Sequence, residues 1–310
     1  MEVIRGTHNL RARHRGCVAT VGNFDGVHRG HQAMLARLRE HAAELDLPAT
    51  VVTFEPQPRE FFAGREVPAR LTRLREKLLL LEARGVDRVL LVPFDGRTAS
   101  LEAEEVVRRW FVDGLGVRRL LIGDDFRFGR SRSGDVSLLR TLGSQAGFDV
   151  DALDTERLGA ERISSTAVRE ALGAGDLTRA RTLLGHEYFM MGRVVYGRQL
   201  GRTLDAPTLN IPLRRYRAAL EGVFAVTVDG LGETRAGVAN IGVRPTVDGK
   251  APMLEVHLLD WQGDAYGQLV SVRFRAYLRP EQRFESLDAL REQIGRDVRA
   301  ARDHFAAAPP

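Results

Sequence analysis

"CVATVGNFDGVHRGHQAMLARLREHAAEL", residues 17–45, decides how the first half of the chain folds. "CVATVGNF" has the makeup of a buried strand. "HQAMLARLREHAAEL" sets Met34, Leu35, Leu38, Ala42 and Leu45 on one face of a helix. Between them come Gly22, Asn23, Phe24, Asp25, Gly26, His28, Gly30 and His31. Glycines four apart predict a backbone that turns sharply or lets another group approach closely.

The same alternation continues beyond it. "PATVVTFEP", "DRVLLVPF" and "RRLLIGDDF" read as strands, and "LTRLREKLLLLEARG" and "SLEAEEVVRRWFVDGLG" as helices, the latter with Ser100 as its N-cap. Strand and helix in turn predict a parallel sheet covered by helices, an α/β Rossmann-like domain over residues 1–185. Ligands of such sheets bind at the carboxyl ends of the strands, which is where the glycine-histidine stretch lies. From about residue 186 the period shortens. "FMMGRVVYG", "GVFAVTVDG", "TRAGVANIG", "MLEVHLLD" and "LVSVRFRAYL" alternate as strands, separated by Gly, Asp and Pro. They predict a small antiparallel barrel or sandwich over residues 186–310, closed by a C-terminal helix. Leu287, Leu290, Ile294, Val298 and Phe305 form that helix's apolar stripe and Ser286 its N-cap.

Composition narrows the function. The 310 residues are 44% hydrophobic and 28% charged, as in an ordinary globular protein, and no apolar run approaches a membrane span. The basic start has no apolar core or cleavage site, so the expected location is the cytoplasm. Cys17 is the sole cysteine, which excludes an internal disulfide and a cysteine-based zinc site. The net charge of +5 comes from arginines scattered among acids, which favours small anionic substrates over nucleic acid. Lys77 and Lys250 are the only lysines, and neither follows a phosphate-cradling glycine loop, so there is no P-loop.

Four stretches carry candidate chemistry. His28 and His31, three apart at a helix start, can face one side and donate to developing charge on a phosphoryl group, near free N–H groups that favour a phosphate. A metal reading lacks a third ligand nearby. "RISSTAVREAL", residues 162–172, reads either as a plain helix cap or as an anion clamp of Ser164, Ser165, Thr166 and Arg169. "IGDDFRFGRSRSGD", residues 122–135, reads either as a loop with core phenylalanines or, with "FEPQPREFF", as a platform for a planar ligand. Thr208 and Asn210 share one face of an extended segment and are hard oxygen ligands suited to Mg²⁺. Glu255 projects away from the face of Leu254, Val256 and Leu258, as a solvated strand glutamate or as a general base.

Residues 22–32, 53–62, 122–135 and 162–172, in this order, resemble the adenylyltransferase module of the bacterial bifunctional riboflavin kinase/FMN adenylyltransferase family, the FAD synthetases. "GRVVYGRQLGRTLDAPTLNI", "GVANIGVRPT" and "LEVHLLDWQGDAYG" are similar to its riboflavin kinase module, a six-stranded barrel in that family. The resemblance implies two ATP-dependent reactions, riboflavin to FMN and FMN to FAD, with Mg²⁺ as cofactor. It also implies His28 and His31 as catalytic in adenylylation. ATP would be held there by Gly22, Asn23, Phe24, Asp25, Gly26, Gly30, Ser164, Ser165, Thr166 and Arg169. Flavin would meet Pro56, Pro58, Phe62, Asp125 and Phe128. For the kinase it implies Glu255 as base, with Gly192, Gly197, Gly201, Arg202, Thr208 and Asn210 around ATP and Mg²⁺. The partners are then small molecules, without nucleic acid or membrane; a homo-oligomer is compatible with this reading.

One position departs from the family. Where the kinase motif usually has a glycine and a large apolar residue before the proline, this chain has Asp205 and Ala206. Asp tolerates a left-handed backbone better than most residues but adds a carboxylate. The kinase is expected to be active, with an apparent ATP affinity more dependent on Mg²⁺ than in Asp205→Gly. Superimposable Mg²⁺ titrations of the two proteins at fixed ATP would refute this.

Overall fold

The computed structural model describes residues 1–63, 67–196, 208–246 and 249–307, with side chains 243–251 left out of the description. The chain forms two compact units. The first comprises Met1–Val67 and Lys77–Ser164, and the second Pro68–Glu76 and Ser165–Pro310.

The first unit contains β1 (Glu2–Arg5), β2 (Cys17–Val21), α1 (Arg29–Glu44), β3 (Ala49–Glu55) and α2 (Pro58–Ala63). After α3 (Leu74–Ala83), which begins in the second unit, come β4 (Arg88–Pro93), α4 (Gly96–Ala99), α5 (Ala103–Val106) and β5 (Val117–Gly123). It ends with α6 (Val136–Ala146), β6 (Asp149–Leu153) and the short pair β7 (Arg157–Leu158) and β8 (Glu161–Arg162). The main sheet is parallel throughout, in the order β1-β4-β3-β2-β5-β6. All five residues of β2 are buried, so its side chains can be apolar on both faces without alternating. From β2 the chain builds outward through β3 and β4, then returns to the other flank of β2 as β5. The carboxyl end of β2 is therefore the switch point of the sheet, the position at which ligands of such sheets bind.

The second unit holds α7 (Ser165–Gly173), α8 (Leu177–Leu184), β9 (Phe189–Arg193), β10 (Thr208–Pro212), β11 (Gly222–Asp229), β12 (Arg235–Thr246), β13 (Gly249–Leu258), β14 (Leu269–Arg279) and α9 (Leu287–Ala307). Its sheet is antiparallel, in the order β10-β13-β12-β11-β14-β9. Val195 N donates to Asn210 O at 2.8 Å, linking the two edges into a nearly closed barrel. The predicted fold class, a parallel α/β domain followed by a six-stranded barrel and a helix, is the one observed. Ala225, Ala301 and Phe305 pack α9 onto the barrel, and Ser286 Oγ caps it by accepting from Ala289 N at 3.1 Å.

Several local expectations are corrected. Ser100 does not cap a helix N-terminus but closes α4 at its C-terminal end; α5 starts after Glu102, with no side-chain cap. Leu45 and Leu287 are exposed, because each sits at a helix end beyond the packed stripe. Leu71, Thr72 and Arg73 precede α3 rather than forming its first turn, since Glu76 draws the Arg73 N–H to its Oε2 at 2.6 Å.

That glutamate also anchors residues 68–76 in the second unit. Arg215 Nη2 donates to both Glu76 oxygens, at 2.7 and 2.6 Å, and both side chains are only 1% exposed. Arg215 Nη1 donates to the carbonyls of Arg70 and Leu71, and Met191 N donates to Glu76 Oε1. Tyr188 closes the network by donating to Leu71 O at 3.0 Å. Removing one partner of such a buried pair leaves the other charge uncompensated, at a cost of about 3–5 kcal/mol. Glu76→Ala is expected to destabilise the second unit by about that amount. Urea unfolding followed by Trp261 fluorescence in a Trp110→Phe background checks it, since Trp261 lies in this unit and Trp110 in the other. Glu76→Met combined with Arg215→Met should cost much less than the sum of the two single changes. Additive losses would show the pair to be uncoupled.

Candidate active sites

The turn after β2 has an unusual backbone. Phe24, Gly26 and Val27 all adopt positive φ, 47°, 84° and 41°. Two of the three carry side chains, which costs on the order of 1–3 kcal/mol each. Burial offsets that cost: Phe24 and Val27 are 1% and 0% exposed and belong to the core beneath α1. Held there, the chain enters α1 with His28 as N-cap, its Nδ1 accepting from His31 N at 3.4 Å. The two imidazoles stack, with ring centroids 3.6 Å apart and planes 18° from parallel. The outer glycines leave little room beside the motif's own rings. A Cβ on Gly22 would lie 3.2 Å from the Phe24 ring, and one on Gly30 3.3 Å from the His28 ring. Gly26 supplies the left-handed turn.

His28 is buried and His31 half-buried, with His31 Nδ1 enclosed and lacking a hydrogen-bond partner. Burial first, then the charges of His28 and Lys77, push the His31 imidazole well below its usual range. Lys77, which the sequence marks only as a lysine outside any P-loop, stands nearby. It is fully buried and donates to Thr53 Oγ1 at 3.4 Å. Asp25 is also buried in the turn.

The candidate flavin residues have mixed surroundings. Phe62, at the end of α2, is 70% exposed and groups edge-on with Phe61 and Phe94. Phe128 instead is buried in the core, stacked at 5.6 Å on Phe126, and a Cβ on Gly134 would strike its ring at 2.6 Å. Asp125 pairs with Arg162 at 2.5 Å on the surface. Pro56 and Pro58 bracket the entry to α2.

In the second unit, Ser165 and Thr166 open α7, with Ser164 just before them. Arg169 Nε donates to Ala69 O at 2.5 Å, which fixes the guanidinium one turn into the helix. On the barrel, Leu254, Val256 and Leu258 point into the core while Glu255 lies half-buried on the opposite face, as the alternation requires. Glu255 stands opposite Asn210 on one flank and Asn240 on the other. Paired positions bring Cβ atoms to about 4.5–5.5 Å, so the three form one polar row across β10, β13 and β12. Asn240 was not anticipated, and its Oδ1 is enclosed without a partner. Asn210 Nδ2 donates to Thr208 O at 3.3 Å, fixing the amide plane beside Thr208. Gly192 packs directly against the Ile211 side chain, so an added methyl has no room. Gly197, Gly201, Arg202, Asp205 and Ala206 lie outside the described residues.

Comparison with known proteins decides the family. Residues 10–167 match the FAD synthetase family model, and residues 184–305 match that of riboflavin kinase. A bifunctional riboflavin kinase/FMN adenylyltransferase of Pseudomonas fluorescens is 55% identical over 304 residues, 97% of each chain. The chain belongs to this bifunctional family. The Escherichia coli K12 relative of the same name is 53% identical over 312 residues, covering all of both chains. A crystal structure of a protein from Streptococcus pneumoniae, named there as a macrolide-efflux protein, matches with TM-score 0.84. It is 26% identical over 98% of this chain and 99% of that one. The efflux name applies to that protein; among the described residues here no helix is long and apolar enough to cross a membrane. The activities of this chain are riboflavin phosphorylation to FMN and FMN adenylylation to FAD, with ATP as co-substrate.

The low His31 pKa has a consequence for stability. In the unfolded chain this group takes up a proton near its usual value of 6.5, whereas in the folded chain it stays neutral to lower pH. The unfolded state therefore binds more protons below that value, and stability is lost as pH falls through it. Thermal melts of the adenylyltransferase unit between about pH 7.5 and 5.5 should show a fall that is shallower in His31→Gln. Equal slopes would mean that His31 titrates normally in the folded protein.

Proposed function

We propose that residues 1–185 carry adenylylation and residues 186–310 riboflavin phosphorylation. In adenylylation the FMN phosphate attacks the α-phosphorus of ATP, and pyrophosphate leaves. His28 and His31 donate hydrogen bonds to the phosphoryl oxygens as charge builds on them. The single observation that supports this role is the pair itself: two stacked imidazoles at a helix N-terminus on the switch point of a parallel sheet. Residues 22–26 and Gly30 form the ATP turn, and Ser164, Ser165, Thr166 and Arg169 hold the triphosphate by hydroxyls and a guanidinium. The flavin lies against Pro56, Pro58 and the exposed Phe62, with Asp125 and Phe128 supporting the loop beside it.

In phosphorylation Glu255 takes the proton of the riboflavin 5′-hydroxyl as it attacks the γ-phosphorus of ATP, and ADP leaves as the bond from that phosphorus to the β,γ-bridging oxygen breaks. Thr208 and Asn210 fit Mg²⁺ by donor chemistry: a hydroxyl and a carboxamide oxygen are hard ligands, and the amide is already oriented by its bond to Thr208 O. Bound there, the ion would neutralise charge on the ATP phosphates. Gly192, Gly197, Gly201 and Arg202 complete the ATP surroundings. The protein works in the cytoplasm on small molecules rather than on nucleic acid. A basic nucleic-acid binder would need cationic and aromatic side chains clustered on one face. The arginines here are interleaved with acids along the sequence.

Two substitutions separate the reactions. His28→Ala should lower FAD formation from FMN by a factor of about 10² while FMN still forms from riboflavin. Glu255→Gln should abolish FMN formation and spare adenylylation of supplied FMN. Chromatography of the flavin products after incubation with ATP and Mg²⁺ reads both. Full FAD output from the first mutant, or full FMN output from the second, would remove that residue from the mechanism.

A further inference from the structure

One buried cation beside the histidine turn has no role in the mechanism so far. Lys77 is fully buried at the start of the first unit's part of α3, in a chain whose 46 basic side chains include only two lysines. Its Nζ donates to Thr53 Oγ1 at 3.4 Å, and that hydroxyl donates to Asn23 O at 3.4 Å. Ammonium, hydroxyl and carbonyl thus run in series from α3, through the end of β3, to the root of the turn that presents His28 and His31.

We propose that Lys77 is a positioning residue for FMN adenylylation, fixing the histidine turn through Thr53 and setting the electrostatic field at His31. This rests on the role given above to the histidine pair. The titratable groups around the turn come from every side: Asp25 and His28 from the turn, Lys77 from α3, and Glu156 after β6. The Cβ of Glu156 lies 3.6 Å from where one on Gly30 would stand. Of these, His28 and Lys77 act on His31 in the same direction, both disfavouring its charged form. A neutral imidazole, stacked with its centroid 3.6 Å from that of His28, keeps a single N–H to donate to a phosphoryl oxygen. The ammonium also supplies a fixed positive potential from a dry position, where it needs no reorganisation when phosphates arrive.

The test uses the full-length protein with Lys77→Met, Lys77→Arg and Thr53→Val. Each variant is assayed for kcat and KM in FMN adenylylation and for riboflavin phosphorylation. The His31 ring is titrated by NMR with labelled histidine, its signal assigned by its loss in His31→Gln. Lys77→Met should lower adenylylation kcat about tenfold or more, and KM for ATP much less. It should raise the His31 midpoint and keep phosphorylation within about twofold. Lys77→Arg should keep the low midpoint and recover most of the rate, because the charge remains. Thr53→Val should lower kcat with the midpoint little changed. An unchanged kcat in Lys77→Met overturns the proposal. A reduced kcat with an unmoved His31 midpoint also overturns it, since the lysine would then only fill space. Should Lys77→Met fail to fold, Thr53→Val and Lys77→Arg decide: wild-type kcat in the first, or a raised midpoint in the second, refutes it. Full adenylylation by His31→Gln would instead refute the histidine mechanism, while the midpoint shift still tests the electrostatic influence of Lys77 on His31.

Discussion

Everything in the adenylyltransferase unit depends on a turn that the backbone would not adopt unaided. Two residues with side chains in left-handed backbone are costly, and the burial of Phe24 and Val27 in the core offsets that cost. The two side chains act as anchors on either side of Gly26. Because both are fixed in a rigid core, the direction in which the chain enters α1 is fixed as well. The stacked histidines inherit that precision: His28 caps α1 and His31 stands in its first turn. Rigid placement is what stabilisation of a transient charge requires, since donors that must reorient lose most of their advantage.

The kinase unit reaches the same end by a different route. There the strand pairing sets the geometry: Asn210, Glu255 and Asn240 are opposite one another because three strands are in register. Alternation turns all three away from the apolar interior. The barrel's far edge is held by the buried Glu76–Arg215 pair, which ties residues 68–76 to β9 through Met191 N. A charge pair sealed from water is costly to break and tolerates few geometries, so it specifies this docking more than it stabilises the fold.

Legibility in the sequence follows from the range of each interaction. Strand-helix alternation, the change of period near residue 186 and the Ser286 cap are local patterns, and all were readable. The face of Glu255 was readable for the same reason, since a period of two needs no partner strand. The register that sets Asn240 beside Glu255 was not, because it depends on where another strand pairs. The Glu76–Arg215 bond joins residues 139 apart, and nothing near either one signals it. Residues 68–76, which that bond holds, fold into the second compact unit, as do residues 165–185. Gly22 and Gly30 show a subtler limit. Their spacing announced a close approach, but the groups approaching are the rings of Phe24 and His28, which only the positive φ angles bring back over the turn.

The identity of residue 77 also has a physical reason. Arginine is the default cation of this chain, and it suits the Glu76–Arg215 site, where a planar fork meets a carboxylate and two carbonyls. Beside Thr53 the surroundings differ: Nζ donates to the Thr53 hydroxyl at 3.4 Å from a fully enclosed position. An ammonium is a compact point charge that can satisfy one acceptor there and still act on His31 through space. Adjacent residues of α3 therefore take part in two different charge arrangements, Glu76 with a fork and Lys77 with a point.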